Sequence, residues 1–242
     1  LKGVLMILII TVHTLGFTND VFPGSAFVRG GLWLFKYGAA LVGMFFVFAG
    51  YGFRPSADGK KFVKKQAKQF LVPYAAVIVL SSAAITVRDM LLGRFSVGSV
   101  SSVVLGGLFG SVGPLHLFGR VWLGGIVALW FLLTFFFGSV IYNFTFRLKN
   151  ERARCALVWL LTALAVAVPK DVAALCPWTL VQSCASLGFM EVGRLLKKHK
   201  VFYKKLNPVF AVCALALCAV MHTYSRSSVG INEYRFLHID YI

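Results

Sequence analysis

The sequence has few charged residues, and very few of those are acidic. Charged residues make up 14% of the 242 residues, and Asp and Glu number 8 against 25 Lys and Arg. Soluble domains contain about 25% charged residues. Hydrophobic residues make up 59% of the chain, and they come in long runs bounded by basic clusters, as in helices that lie in lipid. This composition excludes an ordinary soluble enzyme and predicts a membrane protein with several spans.

Several signatures of soluble or metal-dependent chemistry are also absent. The five cysteines form no CxxC pair, and most fall inside apolar runs, where cysteine behaves as a small hydrophobic residue. The chain has no GxSxG, HExxH or P-loop motif. The sequence therefore predicts no disulfide framework, no metal and no bound cofactor. The net charge of +17 is spread between the apolar runs, which predicts membrane topology and no nucleic-acid partner.

A membrane-spanning helix needs about 20 mostly apolar residues, and about seven stretches qualify. These stretches are 1–17, 31–53, 70–87, 121–146, 154–169, 172–193 and 207–224. Segment 97–118 is rich in Gly and Ser and contains Pro114 and His116, so we expect an interfacial or re-entrant piece there rather than a crossing.

The positions of the basic residues set the expected orientation. If 97–118 does not cross, the three most basic loops, 54–68, 147–154 and 194–205, fall on the same side of the membrane. Basic loops mark the cytoplasmic side. We therefore predict an all-α, polytopic membrane helix bundle forming one domain over 1–242, in the cytoplasmic (inner) membrane, with a cytoplasmic N-terminus. Because the chain begins at Leu1 and ends at Ile242 without a stop-like segment, we expect it to be truncated at both ends.

The first predicted span contains the ionisable residue His13. An imidazole in lipid is a functional hypothesis by default, although a packed, hydrogen-bonded histidine is an equal alternative. Lys2 lies on the same helix face, about 16 Å away along the axis, either as a partner of His13 or as a cytoplasmic anchor. Nearer the C-terminus, Glu191 lies one turn before Arg194, which predicts a local ion pair.

A dense basic cluster precedes the third predicted span. The segment GKKFVKKQAKQFLVPY, residues 59–74, is typical of a basic amphipathic turn that leads into a helix, with Pro73 at the entry to the span. Such a patch would attract a polyphosphate such as coenzyme A. Anionic lipid headgroups would be attracted equally well.

Four segments in order carry a family resemblance: KGVLMILIITVH (2–13), GMFFVFAGY (43–51), the lysine-rich run ending in Pro73 and Tyr74, and LWFL (129–132). A fifth, weaker segment is 186–196. Together they resemble the acyltransferase-3 family of integral membrane acyltransferases. The resemblance implies roughly ten spans in all, so about three would lie beyond Ile242.

The resemblance implies transfer of an acyl group, usually acetyl, from cytoplasmic acyl-CoA to a hydroxyl group. The acceptor would be a cell-surface glycan or a lipid-linked glycan. The protein would also interact with the lipid bilayer that surrounds it. In the family pattern, His13 takes the position of the essential histidine and Lys2 that of its basic partner. The donor would contact Lys61, Lys64, Lys65 and Lys68, and Trp130 would line the acceptor side.

The sequence departs from the family pattern at two positions, and a third point stays open. Lys2 stands where Arg is usual, which removes bidentate geometry, and Ala49 stands where Ser is usual. The RxxR pair of the family aligns either with Lys65 and Lys68 or, one residue on, with Gln66 and Gln69.

A partly desolvated histidine suits removal of the acceptor hydroxyl proton, and no Ser or Cys nucleophile stands out. We therefore expect direct attack on the thioester. The alternatives are a polytopic transporter or glycan-export component, because an intramembrane histidine also suits proton coupling, and a catalytically silent relative.

Overall fold

The computed structural model describes residues 42–112, 115–117, 121–124, 129–201, 225–228 and 233–236. These residues fall into two compact units. The first unit holds 42–53, 188–201 and the strands beyond 224, and the second holds 54–187. Lys2, His13 and the predicted spans 1–17 and 207–224 lie outside the described residues. A single membrane domain over 1–242 stays a prediction.

The described part of the chain is mostly helical. Its helices are α1 (Val42–Tyr51), α2 (Gly59–Gln66), a π-helical turn (Ala67–Leu71), α3 (Val72–Leu91), α4 (Val97–Phe109), α5 (Trp130–Thr145), α6 (Glu151–Ala167), α7 (Lys170–Leu175), a 3₁₀ turn (Pro177–Thr179) and α8 (Leu180–Lys198). Its strands are β1 (Leu115–Leu117), β2 (Val121–Leu123), β3 (Ser225–Ser228) and β4 (Glu233–Phe236). The strands form two antiparallel hairpins, β1 with β2 and β3 with β4.

Helix α2, the π turn and α3 form one continuous helix of 33 residues, Gly59–Leu91. Asp58 caps its first turn, because the Asp58 carboxylate accepts a hydrogen bond from the Lys61 amide at 2.9 Å. Pro73 has no amide hydrogen to donate to the preceding turn. The turn before it widens to a π turn, in which the Val72 amide donates to the Ala67 carbonyl.

This continuous helix contains the predicted span 70–87. Of the helices in the described residues, this one is long and apolar enough to cross a membrane. At 1.5 Å per residue it is about 50 Å long, whereas a bilayer core is about 30 Å thick. Val79, Leu80, Val87 and Leu91 on α3 are all exposed, as expected of side chains that face lipid. The helix is therefore long enough for its basic end to project beyond the core.

Segment 97–118 forms a short helix followed by a strand. Helix α4 has 13 residues, is capped by the Ser96 side chain and ends at Gly110, whose φ of 79° is left-handed. At about 20 Å this helix is too short to span a bilayer core, in keeping with the expected non-crossing segment. Tyr74 ties it to α3, because its hydroxyl donates to the Gly107 carbonyl at 2.6 Å.

The described residues are mostly helical, as expected, and the two short hairpins are additions to the helices. Strand β2 corrects the predicted span 121–146, whose described residues are strand at Val121–Leu123 and helix from Trp130. The hairpin of β1 and β2 docks on α4 through its backbone. The Gly124 amide donates to the Ser102 carbonyl at 2.8 Å, and the carbonyl of Gly124 lies where a Cβ at Gly106 would be. Two glycines that face each other let the strand end approach the helix, a contact that hydropathy does not reveal.

The predicted span 172–193 is also wrong as a single helix. It is broken between α7 and α8, where Trp178 and Thr179 have φ of 58° and 52°, a conformation that costs on the order of 1–3 kcal/mol per residue. The Trp178 indole donates to the Leu108 carbonyl at 2.9 Å, and the Thr134 and Thr179 hydroxyls hydrogen-bond at 2.9 Å. These contacts with α4 and α5 stabilise the turn in this conformation.

Within the first unit, α1 and the second half of α8 cross at two glycines. A Cβ at Gly50 would collide with the Met190 backbone, and a Cβ at Gly193 would collide with the Val47 carbonyl. Small residues let membrane helices approach this closely. The GMFFVFAGY segment and the segment 186–196 therefore pack directly on each other.

We expect Gly193→Ala to lower the unfolding temperature of the protein in detergent. The added methyl group must separate two backbones, and overpacking costs about 1–3 kcal/mol. The matched control is Gly98→Ala in the exposed first turn of α4, where the new Cβ meets only the Ser96 hydroxyl at 3.3 Å. Equal unfolding temperatures for the two variants would contradict the close crossing.

Candidate functional site

The lysines of the basic cluster share one exposed face of the helix. We call this the lysine face; its members, all exposed, are Lys60, Lys61, Lys64, Lys65 and Lys68. The opposite side anchors the helix on α5. Phe62 is only 8% exposed, and the rings of Phe70 and Phe135 lie 4.7 Å apart. The packing leaves the cations free to face solvent or a ligand.

The exposure of individual residues bears on the open alignment of the RxxR pair. Lys65 and Lys68 are both exposed, whereas Gln66 is half-buried. The Oε1 atom of Gln66 is buried and has no hydrogen-bond partner among the described residues. Gln69 is exposed as well, so both alignments of the RxxR pair stay open.

The start of the lysine-bearing helix is fixed to the end of α5. Asn143, 4% exposed, accepts a hydrogen bond from the Ser56 amide at 2.8 Å and donates one to the Ser56 carbonyl at 3.2 Å. Gly59 lies against the next loop, and a Cβ there would be 2.9 Å from the Nη2 atom of Arg147. The basic loops 54–68 and 147–154 are thus neighbours.

The positive charge of this region is not neutralised within the described part of the chain. None of the lysine-face residues, nor Arg147, forms an ion pair with a described carboxylate. The nearby carboxylate of Asp58 accepts the Lys61 amide instead. Like charges three and four residues apart on a helix repel each other, so a polyanion bound here would relieve repulsion as well as gain attraction.

Trp130 lies at the opposite end of α5 from Asn143, about 20 Å away along the helix axis. It is 8% exposed, and its ring packs edge-on to Phe131 at 6.2 Å. Its role on the acceptor side stays a prediction. The structure brings Lys61, Lys64, Lys65 and Lys68 together, while Lys2 and His13 lie outside the described residues.

The ion pair predicted in α8 is confirmed. Arg194 Nη2 lies 2.7 Å from the Glu191 carboxylate, which is fully buried. This pair stabilises α8 locally. The described residues contain no group of His, Cys, Asp or Glu side chains arranged to hold a metal ion.

Sequence reasoning assigned no site role to Asn143 or Arg147. Asn143 could have been noticed as a lone amide near the end of an apolar stretch, close to a basic loop. Its partner is the backbone of Ser56, which any residue type can supply, so the pairing leaves no trace in the sequence.

A family model described as an acyltransferase domain, Acyl_transf_3, matches residues 1–238. Because the match covers nearly the whole chain, the protein belongs to the acyltransferase-3 family, and it is a membrane acyltransferase. No curated protein and no solved structure matches the chain.

We expect the lysine face to contribute nothing to stability. Replacing Lys61, Lys64, Lys65 and Lys68 together by Gln should leave the unfolding temperature in detergent unchanged or slightly raised, because exposed substitutions usually change stability by less than about 0.5 kcal/mol. Phe62→Ala in the same helix should lower it, because truncating a buried Phe costs about 3–5 kcal/mol. A large loss in the Gln variant would show that the lysines are structural.

Proposed function

We propose that this acyltransferase moves an acetyl group from cytoplasmic acetyl-CoA to a hydroxyl of a cell-surface or lipid-linked glycan. The observation that carries the donor half of the proposal is the lysine face, a set of cations without acidic partners among the described residues. It lies at the end of the helix that is long enough to cross the membrane. The acceptor half rests on the family resemblance.

The donor is anionic at its nucleotide end and neutral at its acyl end. Lys61, Lys64, Lys65 and Lys68 supply flexible point charges that attract the phosphate groups of coenzyme A. The apolar part of the same helix begins within a turn or two of Lys68. A donor held by its phosphates at the lysine face therefore has its acyl chain near the membrane boundary.

The proposed chemistry uses His13 as a general base. The imidazole takes the proton of the acceptor hydroxyl as the oxygen attacks the thioester carbonyl, the C–S bond breaks, and coenzyme A leaves as its thiolate. Lys2 orients the donor from the cytoplasmic end of the same predicted helix, and Trp130 lines the acceptor side. Donor and acceptor are bound together, with no acyl-enzyme between them.

We further propose a multi-pass protein of the cytoplasmic membrane with its N-terminus and lysine-rich loops in the cytoplasm. The contact between loops 54–68 and 147–154 supports this orientation, because it keeps two of the three basic loops on one side. The donor then approaches from the cytoplasm, where acyl-CoA is made.

The central experiment measures transfer of labelled acetyl from acetyl-CoA into glycans and lipids of membranes that contain the protein. We expect transfer by the wild type and loss of it in His13→Ala at equal protein level. Unchanged transfer would remove His13 as the base, and label bound covalently to the protein in the absence of acceptor would overturn direct attack. Absence of transfer into any fraction would favour the hypothesis of a transporter or that of a catalytically silent relative.

The role of the lysine face can be tested by comparing two donors. Replacing Lys61, Lys64, Lys65 and Lys68 by Gln should raise the KM for acetyl-CoA on the order of tenfold, because each exposed ion pair contributes about 0.2–1 kcal/mol. The KM for acetyl-pantetheine, which lacks the phosphates, should not change. The matched control replaces the same four residues by Arg, which keeps the charge. An equal loss with both donors, restored by anionic lipid, would assign the lysine face to headgroups instead.

A further inference from the structure

Asn143 is a buried amide whose two hydrogen-bonding groups are both satisfied by a single backbone unit. Its carbonyl oxygen accepts from the Ser56 amide, and its amide nitrogen donates to the Ser56 carbonyl. A paired arrangement of this kind fixes both position and orientation, since neither hydrogen bond can be kept if the segment rotates. Because Asn143 is buried, leaving either of its hydrogen-bonding groups unpaired would be destabilising.

The fixed point lies directly before the lysine-bearing helix. The Ser56 hydroxyl donates to the Asp58 carbonyl at 3.2 Å, and Asp58 in turn caps the helix that begins at Gly59. The position of Ser56 therefore sets where the first turn of the helix starts. Phe62 is buried in that turn, the helix contacts α5, and the helical period places the lysines on the exposed face.

The same arrangement brings Arg147, from the second basic loop, to the first turn of the lysine-bearing helix. Its guanidinium lies 4.3 Å above the ring of Phe144, which holds the group in place. It fits beside Gly59 because that residue has no Cβ. Arg147 is exposed and has no carboxylate partner among the described residues, so its donors remain available to a ligand.

We propose that the anionic end of the donor binds a composite surface made of the lysine face and Arg147, and that Asn143 is the positioning residue that holds the two parts together. The inference rests on the proposed use of acyl-CoA. It adds a ligand-contacting residue from a second loop, and a buried residue that acts through the backbone of Ser56. Arginine offers a planar fork of donors for a phosphate, which the lysines do not.

The test measures KM and kcat of the full chain in membranes or detergent with acetyl-CoA and with acetyl-pantetheine. We expect Arg147→Gln to raise the KM for acetyl-CoA about threefold or more with kcat unchanged, as for one charged phosphate contact. The KM for acetyl-pantetheine should stay the same. Arg147→Lys keeps the charge and should recover part of the loss.

Asn143→Leu removes both hydrogen bonds at nearly constant volume. We expect it to raise the KM for acetyl-CoA at least as much as Arg147→Gln does, and to leave the KM for acetyl-pantetheine unchanged. The double variant should lose less than the product of the two single effects, because Arg147 is useful only while the two parts stay in register. The matched control is Thr145→Val, whose buried hydroxyl donates only within α5, to the Tyr142 carbonyl at 2.7 Å.

A second measurement does not depend on the substrate. Hydrogen exchange over residues 54–62 should become faster in Asn143→Leu and stay unchanged in Thr145→Val, because the Ser56 amide loses its acceptor. Equal losses with both donors, or unchanged exchange in Asn143→Leu, would overturn the inference while the acyltransferase function stands. A wild type that transfers nothing from acetyl-CoA would overturn the proposed function, and this inference with it.

Discussion

The lysine face and a long apolar section belong to one unbroken helix, and Pro73 lies within it. A proline inside a helix removes one backbone hydrogen bond and crowds the preceding turn, which in lipid would leave an unsatisfied carbonyl. The structure widens the turn before the proline into a π turn, closed by the Val72 amide and the Ala67 carbonyl. The helix therefore continues without a break, and the cations stand at a fixed distance from the apolar section.

Close approach of backbones is the second constraint on the fold. Gly50 and Gly193 permit the crossing of α1 and α8, and Gly106 permits the docking of the hairpin on α4. Without a hydrophobic force between helices in lipid, such packing and the hydrogen bonds between buried hydroxyl groups supply much of the association energy. The Thr134 and Thr179 pair is one such bond, and it holds the strained turn between α7 and α8.

The charged residues are distributed in keeping with the packing of the long helix. The apolar section of the long helix exposes its side chains, whereas the basic section packs its apolar side on α5 and turns its lysines outward. The buried carboxylate of Glu191 is paired within its own helix by Arg194, and the exposed cations of the lysine face have no such partner among the described residues. A surface of this kind costs a little in self-repulsion and is ready to bind an anion, as the proposed use of acyl-CoA requires.

Composition and hydropathy by themselves indicated a membrane protein, an apolar helix over 70–87 and the basic cluster, because these depend on local chemistry and period. The motifs added the family. Hydropathy failed where a long-range contact overrides it. It could not foresee the strand at 121–123, docked by two glycines, or the break at Trp178, stabilised by a carbonyl 70 residues away. Only the tertiary structure placed Arg147 beside the lysine-bearing helix. The two are brought together by hydrogen bonds between the Asn143 side chain and the Ser56 backbone. Because every residue has a backbone, the sequence does not reveal which one Asn143 binds.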